Sequence, residues 1–210
     1  MSVFDYEKLR ATPLRTEPFS YVIVPQFIRD EALAGINADY PAIGHPGSFP
    51  LHTLKYGPRF AGAMEELESP ALRNIVAEKF AIDLSQRPPM TTVRGRARKA
   101  DGRVHTDSDS KVMTLLLYMN NAWEAPGGRL RLLRSPDLAD AFDEVAPDTG
   151  TLLVFRNVPN AWHGHEPFEG ERRVIQLNYV TSDAVVAHER RRHSLSSFMK
   201  RLFGKRAGGY

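Results

Sequence analysis

A mainly β domain with helices gathered toward its N-terminal end is the fold class this sequence predicts. Three observations carry the expectation. From about Thr91 the chain breaks into short apolar runs separated by Gly, Pro and Asn, the texture of an antiparallel barrel or double sheet. Outside the C-terminal tail, helical spacing falls within the first 90 or so residues. A chain of 210 residues with 42% hydrophobic content has enough material for one core of ordinary to generous size.

The N-terminal part mixes extended and helical signals. Tyr21-Val22-Ile23-Val24 reads as a strand closed by Pro25. Asp30 to Tyr40 carries Ala32, Leu33 and Ile36 at helical spacing. Ser69-Pro70 is a helix start, a capping hydroxyl followed by proline in the first turn, and it leads into Leu72, Ile75, Val76 and Phe80. Strands follow: M-T-T-V-R-G-R-A-R, a turn at Ala100-Asp101-Gly102, V-H-T-D, and V-M-T-L-L-L-Y-M-N ended by Asn120-Asn121. After P-G-G come R-L-R-L-L-R, then G-T-L-L-V-F behind the turn Pro147-Asp148-Thr149-Gly150, then R-R-V-I-Q-L-N-Y-V. The expected organisation is one domain over 1–182, with 1–90 as helical and extended support and 91–182 as the β core. Residues 183–210 form a basic tail.

Charge separates that tail from the body. His188 to Tyr210 holds seven Lys and Arg against Glu189, so it carries +6 of a net +3 and leaves the first 187 residues at −3. The basic character belongs to the tail, and a nucleic-acid partner is not expected. Leu195, Phe198, Met199, Leu202 and Phe203 fall on one helical face among Lys200, Arg201, Lys205 and Arg206, an amphipathic basic pattern. Residues 188–206 are therefore expected to pack on the core or a second subunit, or to lie on an anionic membrane surface. No run approaches the roughly 18 apolar residues of a spanning helix. The N-terminus lacks an apolar signal region, so a cytoplasmic location is the expectation.

The chain has no cysteine, so any metal must be held by His, Asp or Glu. The run R-V-H-T-D-S-D-S-K, from Arg103 to Lys111, sets His105, Asp107 and Asp109 at alternate positions, which share one side of an extended chain. Asp109 lies about 6–7 Å further along and fits a turn or supporting carboxylate better than a ligand. His163, in N-A-W-H-G-H-E-P-F just after G-T-L-L-V-F, supplies a second imidazole better placed than His45, His52, His165, His188 or His193. His165 shares its parity and reads equally as a substrate contact or an edge histidine. Two imidazoles and a carboxylate on one face leave the opposite positions open, an arrangement suited to ferrous iron. Nine residues after His163, Arg172 shares a strand face with Val174, Gln176 and Asn178, while Arg173 turns away. A buried guanidinium without an anion is costly, so Arg172 predicts an anionic partner. Arg94, Arg96 and Arg98 alternate with Gly95 and Ala97, either as a solvated strand face or as an anion-attracting mouth leading to His105.

These pieces, in order, resemble the iron(II)- and 2-oxoglutarate-dependent dioxygenase superfamily near its prolyl-hydroxylase-like branch. The matching residues are H-T-D at 105–107, Y-M-N at 118–120, G-G-R-L at 127–130, G-T-L-L-V-F at 150–155, and W-H-G-H-E-P-F-E-G-E-R-R-V-I-Q-L-N-Y at 162–179. The resemblance implies a double-stranded β-helix (jelly-roll, cupin-like) core. It implies Fe(II) at His105, Asp107 and His163, Arg172 on the distal carboxylate of 2-oxoglutarate, and O2 as the other co-substrate. The implied reaction is hydroxylation of an unactivated C–H bond on a small molecule, glycan or protein side chain. Asp107 favours hydroxylation over halogenation, because halogenases of this kind lose the carboxylate. Some relatives place a hydroxyl residue two positions after the arginine, where this chain has Val174. Others use a tyrosine on the strand after H-x-D; the Y-M-N alignment places Leu117 inward, with Tyr118 and Asn120 closing strand and turn. The alternatives are a cupin-like metal-dependent isomerase or hydrolase, which would not need Arg172, and a non-catalytic jelly-roll binding module.

Overall fold

The computed structural model describes residues 2–188. Its strands form two antiparallel sheets. The larger sheet has the order β1 (Tyr21–Val24), β7 (Leu152–Arg156), β4 (Lys111–Tyr118), β9 (Gly170–Val180), β3 (Pro89–Ala97), β2 (Phe49–Pro50). The smaller runs β6 (Ala141–Val145), β5 (Leu130–Leu133), β8 (Trp162–Gly164). An isolated antiparallel bridge between His105 and His163 brings the 105 segment alongside β8.

Two of the six strands in the larger sheet, β1 and β2, come from the first 90 residues, so the β core is not confined to 91–182. The N-terminal region also contributes α1 (Tyr6–Ala11), α2 (Asp30–Ala38), α3 (Pro58–Leu67) and α4 (Pro70–Phe80). Asp5 caps α1 by accepting from Lys8 N, and Ser69 caps α4 by accepting from Leu72 N. Both α3 and α4 begin with proline, whose missing N–H costs nothing there.

Alternation along the strands divides the core in two. On one face of the larger sheet Met113, Leu115, Leu117, Ile175, Leu177 and Tyr179 pack against Leu9, Ile36, Phe60, Met64, Ile75 and other helix residues. On the other face Leu116, Tyr118, Leu153, Phe155 and Val174 pack against Leu130, Leu132 and Val145 of the smaller sheet. This explains the continuous burial of β4 from Met113 to Tyr118, which is covered on both sides. Leu117 faces the helices and Tyr118 faces inward, opposite to the sequence expectation. The register decides it: Tyr118 lies opposite Val174, and Leu117 opposite Ile175.

No helix among the described residues is long and apolar enough to cross a membrane. The amphipathic pattern from Leu195 to Phe203 lies outside the described residues.

Candidate active site

The open space between the sheets holds a cavity of about 170 Å³ lined by the His105–Asp107 segment, β8 and the inner faces of β3, β4 and β9. Chain order brings its parts from far apart. Antiparallel pairing sets Thr114 opposite Asn178, Leu116 opposite Gln176, and Tyr118 opposite Val174, which has Arg94 on its other side. Directly opposed residues share a face. One short strip of inner surface therefore combines a hydroxyl, two amides, a phenol and guanidinium groups.

His105, Asp107 and His163 each offer a donor atom, and these atoms lie within 4.8 Å of one another. Among the described residues this is the group of three or more His, Asp or Glu side chains so placed. The bridge between the two histidines sets the spacing, with His105 N donating to His163 O and His163 N to His105 O, both at 3.0 Å. Their ring centroids are 4.3 Å apart. Segment 103–107 is otherwise irregular, and Asp109 sits exposed in the following turn, outside the donor group. Strand parity is therefore not what unites His105 with Asp107. The bridge and the irregular segment after it, which buries Asp107, are.

The protonation pattern suits a cation. Nδ1 of His105 is 2.8 Å from the carbonyl of Arg103, and Nδ1 of His163 is 3.0 Å from that of Ala161. A carbonyl can only accept, so both Nδ1 atoms carry the proton and both Nε2 lone pairs are left for a ligand. Burial pushes the His163 imidazole down to about 4, with His105 adding to the effect, so it is neutral at neutral pH. Burial pushes the Asp107 carboxyl up. Lys111, His163 and hydrogen bonds from Lys111 and Thr114 outweigh that and hold it below the usual carboxylate range.

Asp107 is held at both oxygens. Lys111 Nζ donates to Oδ1 at 2.6 Å and Thr114 Oγ1 to Oδ2 at 2.5 Å. The chain continues inward: Asn178 Nδ2 donates to Thr114 Oγ1 at 2.8 Å, and Gln176 Nε2 to Asn178 Oδ1 at 3.1 Å. The sequence places Asn178 on the Arg172 face but does not reveal the roles of Lys111 and Thr114, although Thr114 is the lone polar residue inside V-M-T-L-L-L-Y and a visible signal.

Arg172 is 8% exposed and lines the same cavity. Its Nε donates to Gly128 O at 2.9 Å. Gly128, at φ +80°, makes the turn that presents this carbonyl, and a side chain there would also meet Trp123 and Phe168. The terminal nitrogens of Arg172 have no protein partner among the described residues, so the fork is free. The guanidinium lies 5.5 Å from the centroid of the Tyr118 ring. Tyr118 is 0% exposed and its hydroxyl has no hydrogen-bond partner among the described residues. Burial pushes that phenol up, so it remains a donor. A buried unpaired O–H beside a free guanidinium fork fits a carboxylate. Arg173 points the other way, over the Tyr40 ring at 5.3 Å and against Glu171 at 3.2 Å. His165 also lines the cavity, with Nδ1 2.8 Å from Glu166 O, and its ring occupies the space a side chain at Gly102 would need.

Residues 95–180 match the 2OG-Fe(II) oxygenase superfamily, a span that begins on β3 and includes the donor group and Arg172. The matched span is 86 of the chain's 210 residues. That family is named for 2-oxoglutarate and Fe(II), and the matched span holds the whole donor group. Solved structures agree in fold. A Pseudomonas putida prolyl-4-hydroxylase has TM-score 0.55 at 18% identity, covering 83% of this chain and 96% of that one. The viral collagen prolyl hydroxylase of Paramecium Bursaria Chlorella virus-1, in its 2-oxoglutarate complex, has TM-score 0.54 at 16% identity, covering 77% and 96%. A Burkholderia pseudomallei 2OG-Fe(II) oxygenase has TM-score 0.54 at 12% identity, covering 84% and 90%. Among curated proteins the sequence finds no significant match.

Proposed function

We propose that this chain is an Fe(II)- and 2-oxoglutarate-dependent oxygenase of the hydroxylase type, in which His105 and His163 through Nε2, with Asp107 through its carboxylate, hold the iron. Arg172, aided by the Tyr118 hydroxyl, holds the distal carboxylate of 2-oxoglutarate. The observation that carries this reading is the convergence on one cavity of three donor atoms within 4.8 Å and a buried guanidinium whose fork has no hydrogen-bond partner among the described residues. When bound, iron, 2-oxoglutarate and O2 supply the oxidation that yields succinate and carbon dioxide and places a hydroxyl on the substrate.

The chain's own residues do the rest. The Nδ1–H bonds to Arg103 O and Ala161 O aim both imidazoles. Thr114 and Lys111 fix the Asp107 carboxylate in plane and charge. Leu116, Leu130 and Val174 give the cavity apolar walls that limit water around the reacting bond. No side chain is required as an acid or base. A cupin-like isomerase or hydrolase would have no use for the free Arg172 fork.

The substrate is a small molecule or a protein side chain. Prolyl hydroxylases stand among the similar structures, so prolyl peptides belong in a first screen. Purified protein should bind one ferrous ion per chain and consume 2-oxoglutarate in an oxygen-dependent manner. His105→Ala and Asp107→Ala should each remove iron binding with the fold intact, and Asp109→Ala should keep it. Normal iron binding in Asp107→Ala together with loss in Asp109→Ala would overturn the ligand assignment.

A further inference from the structure

Arg94 is unexplained by this machinery. It lies on the inner face of β3, across from Val174, and lines the cavity. Its neighbours hold its backbone in place, since Tyr40 Oη donates to Arg94 O at 2.7 Å. The bulge between Arg94 and Arg96 lets Arg96 and Ala97 line the cavity as well. Yet the Arg94 guanidinium makes no hydrogen bond and no ion pair among the described residues. Asp101, the carboxylate whose charge reaches it, is committed to Arg98, accepting from Arg98 N and from Nε, both at 3.1 Å. Burial lowers the Arg94 guanidinium from its ordinary value, and the neighbouring Arg172 adds to this. A half-buried cation with nothing to neutralise it is costly unless an anion arrives.

The inorganic and co-substrate charges do not supply that anion. A ferrous dication, the Asp107 carboxylate, the 2-oxoglutarate dianion and Arg172 together come to zero net charge. Asp107 cannot then also neutralise Lys111, whose Nζ lies 2.6 Å from it and which also lines the cavity. Arg94, Lys111 and the exposed Arg96 remain as surplus positive charge on the walls of a loaded site.

We propose that Arg94 anchors a second oxyanion subsite, and that the primary substrate of this oxygenase carries a carboxylate or phosphate group seated there, with Lys111 and Arg96 reinforcing the field. This rests on the assignment of iron to the His105 group and of 2-oxoglutarate to Arg172. It makes Arg94 a specificity-determining residue: it fixes one end of the substrate so that a C–H bond faces the open side of the metal. The mouth reading of the 94–98 strand then applies to Arg94 and Arg96, while Arg98 is engaged with Asp101.

The test uses full-length protein loaded anaerobically with Fe(II) and 2-oxoglutarate, followed through its visible absorption band. Four probes form two matched pairs: phenylacetate with phenylacetamide, and glycerol 1-phosphate with glycerol. In the wild type at least one charged member should perturb the band at a concentration about tenfold or more below its neutral mate, a difference of about 1.4 kcal/mol or more. Arg94→Gln should reduce that preference to less than about twofold, and Arg94→Lys should retain part of it, because charge returns without the fork. The affinity for 2-oxoglutarate should stay within about threefold of wild type in both variants, a change of less than about 0.7 kcal/mol. Absence of any preference for the charged member in the wild type overturns the subsite, as does a preference that survives Arg94→Gln. Loss of 2-oxoglutarate affinity in Arg94→Gln equal to that in Arg172→Ala would show that Arg94 serves the co-substrate. Absence of the wild-type band before any probe is added would instead sink the underlying assignment, and the subsite with it.

Discussion

The two faces of the larger sheet are built from alternate residues of the same strands and do different work. Met113, Leu115 and Leu117 of β4, with Ile175, Leu177 and Tyr179 of β9, face the helices and are sealed by them. Thr114, Leu116 and Tyr118, with Arg172, Val174, Gln176 and Asn178, face the smaller sheet. The outer set is apolar apart from one phenol. The inner set mixes guanidinium, amide, hydroxyl and phenol groups. The helices seal one side of the sheet while the other holds its polar groups around the cavity; among the described residues a buried tyrosine O–H without a partner occurs on both faces, Tyr118 inside and Tyr179 outside. The difference teaches that stability and chemistry are separated here by the two-residue period of the strand, not by region of sequence.

Substitutions that respect this division sharpen it. The largest effect is expected on the inner side. His163→Ala should leave fewer than three donors and remove both iron binding and oxygen-dependent 2-oxoglutarate consumption, read by iron analysis and succinate release, with far-ultraviolet circular dichroism unchanged. Leu177→Ala is the outer counterpart, truncating a fully buried side chain. It should destabilise by about 2–5 kcal/mol in denaturant titration and leave the 2-oxoglutarate affinity of the folded protein as it was. Iron or 2-oxoglutarate affinity that falls in step with stability would dissolve the distinction between the faces.

Tyr118→Phe separates the two properties in one residue. It removes a hydroxyl that has no partner among the described residues, so stability should hold or rise. If that hydroxyl donates to a carboxylate, 2-oxoglutarate affinity should fall by about 1.5–3 kcal/mol. Unchanged affinity would make Tyr118 a packing residue. Thr114→Val should be the mildest, since it keeps shape and removes the donor to Asp107 Oδ2. Iron affinity should drop by about 10- to 100-fold while 2-oxoglutarate binding at saturating iron is retained.

Much of this was legible in the sequence, and the reasons are local. Ser69-Pro70 marks α4 because capping chemistry acts within one turn. The apolar runs of β4, β7 and β9 announce buried strands. The parity of Arg172, Val174 and Gln176 follows from the strand period alone, and all three line the cavity. What was not legible depends on pairing between distant segments. Leu117 was expected inward because a motif end was aligned without knowing the register, and the register with β9 places Tyr118 there instead. V-H-T-D was expected as a strand. It makes a single bridge, at His105, because the following turn at Asp109 pulls it away. β6 carries A-F-D-E-V, whose acidic residues hid it, and only pairing with β5 makes it a strand. β1 and β2 join the larger sheet from the N-terminal region for the same reason. The Thr114–Asn178 support of Asp107 needs two strands in register before it exists at all.

The central claim is that the inner face binds 2-oxoglutarate through Arg172, and its neighbour on the same strand is the natural control. Iron-loaded protein should be titrated anaerobically with 2-oxoglutarate and followed by its visible charge-transfer band, for the wild type, Arg172→Ala and Arg173→Ala. Truncating one partner of a buried charge pair costs about 2–5 kcal/mol, or roughly 30- to several-thousand-fold in affinity. Arg172→Ala should show that loss with iron affinity nearly unchanged. Arg173→Ala, which removes contacts to Tyr40 and Glu171 on the outer side, should stay within about threefold of wild type, less than about 0.7 kcal/mol. No band in the wild type, or equal affinity in wild type and Arg172→Ala, would contradict the account.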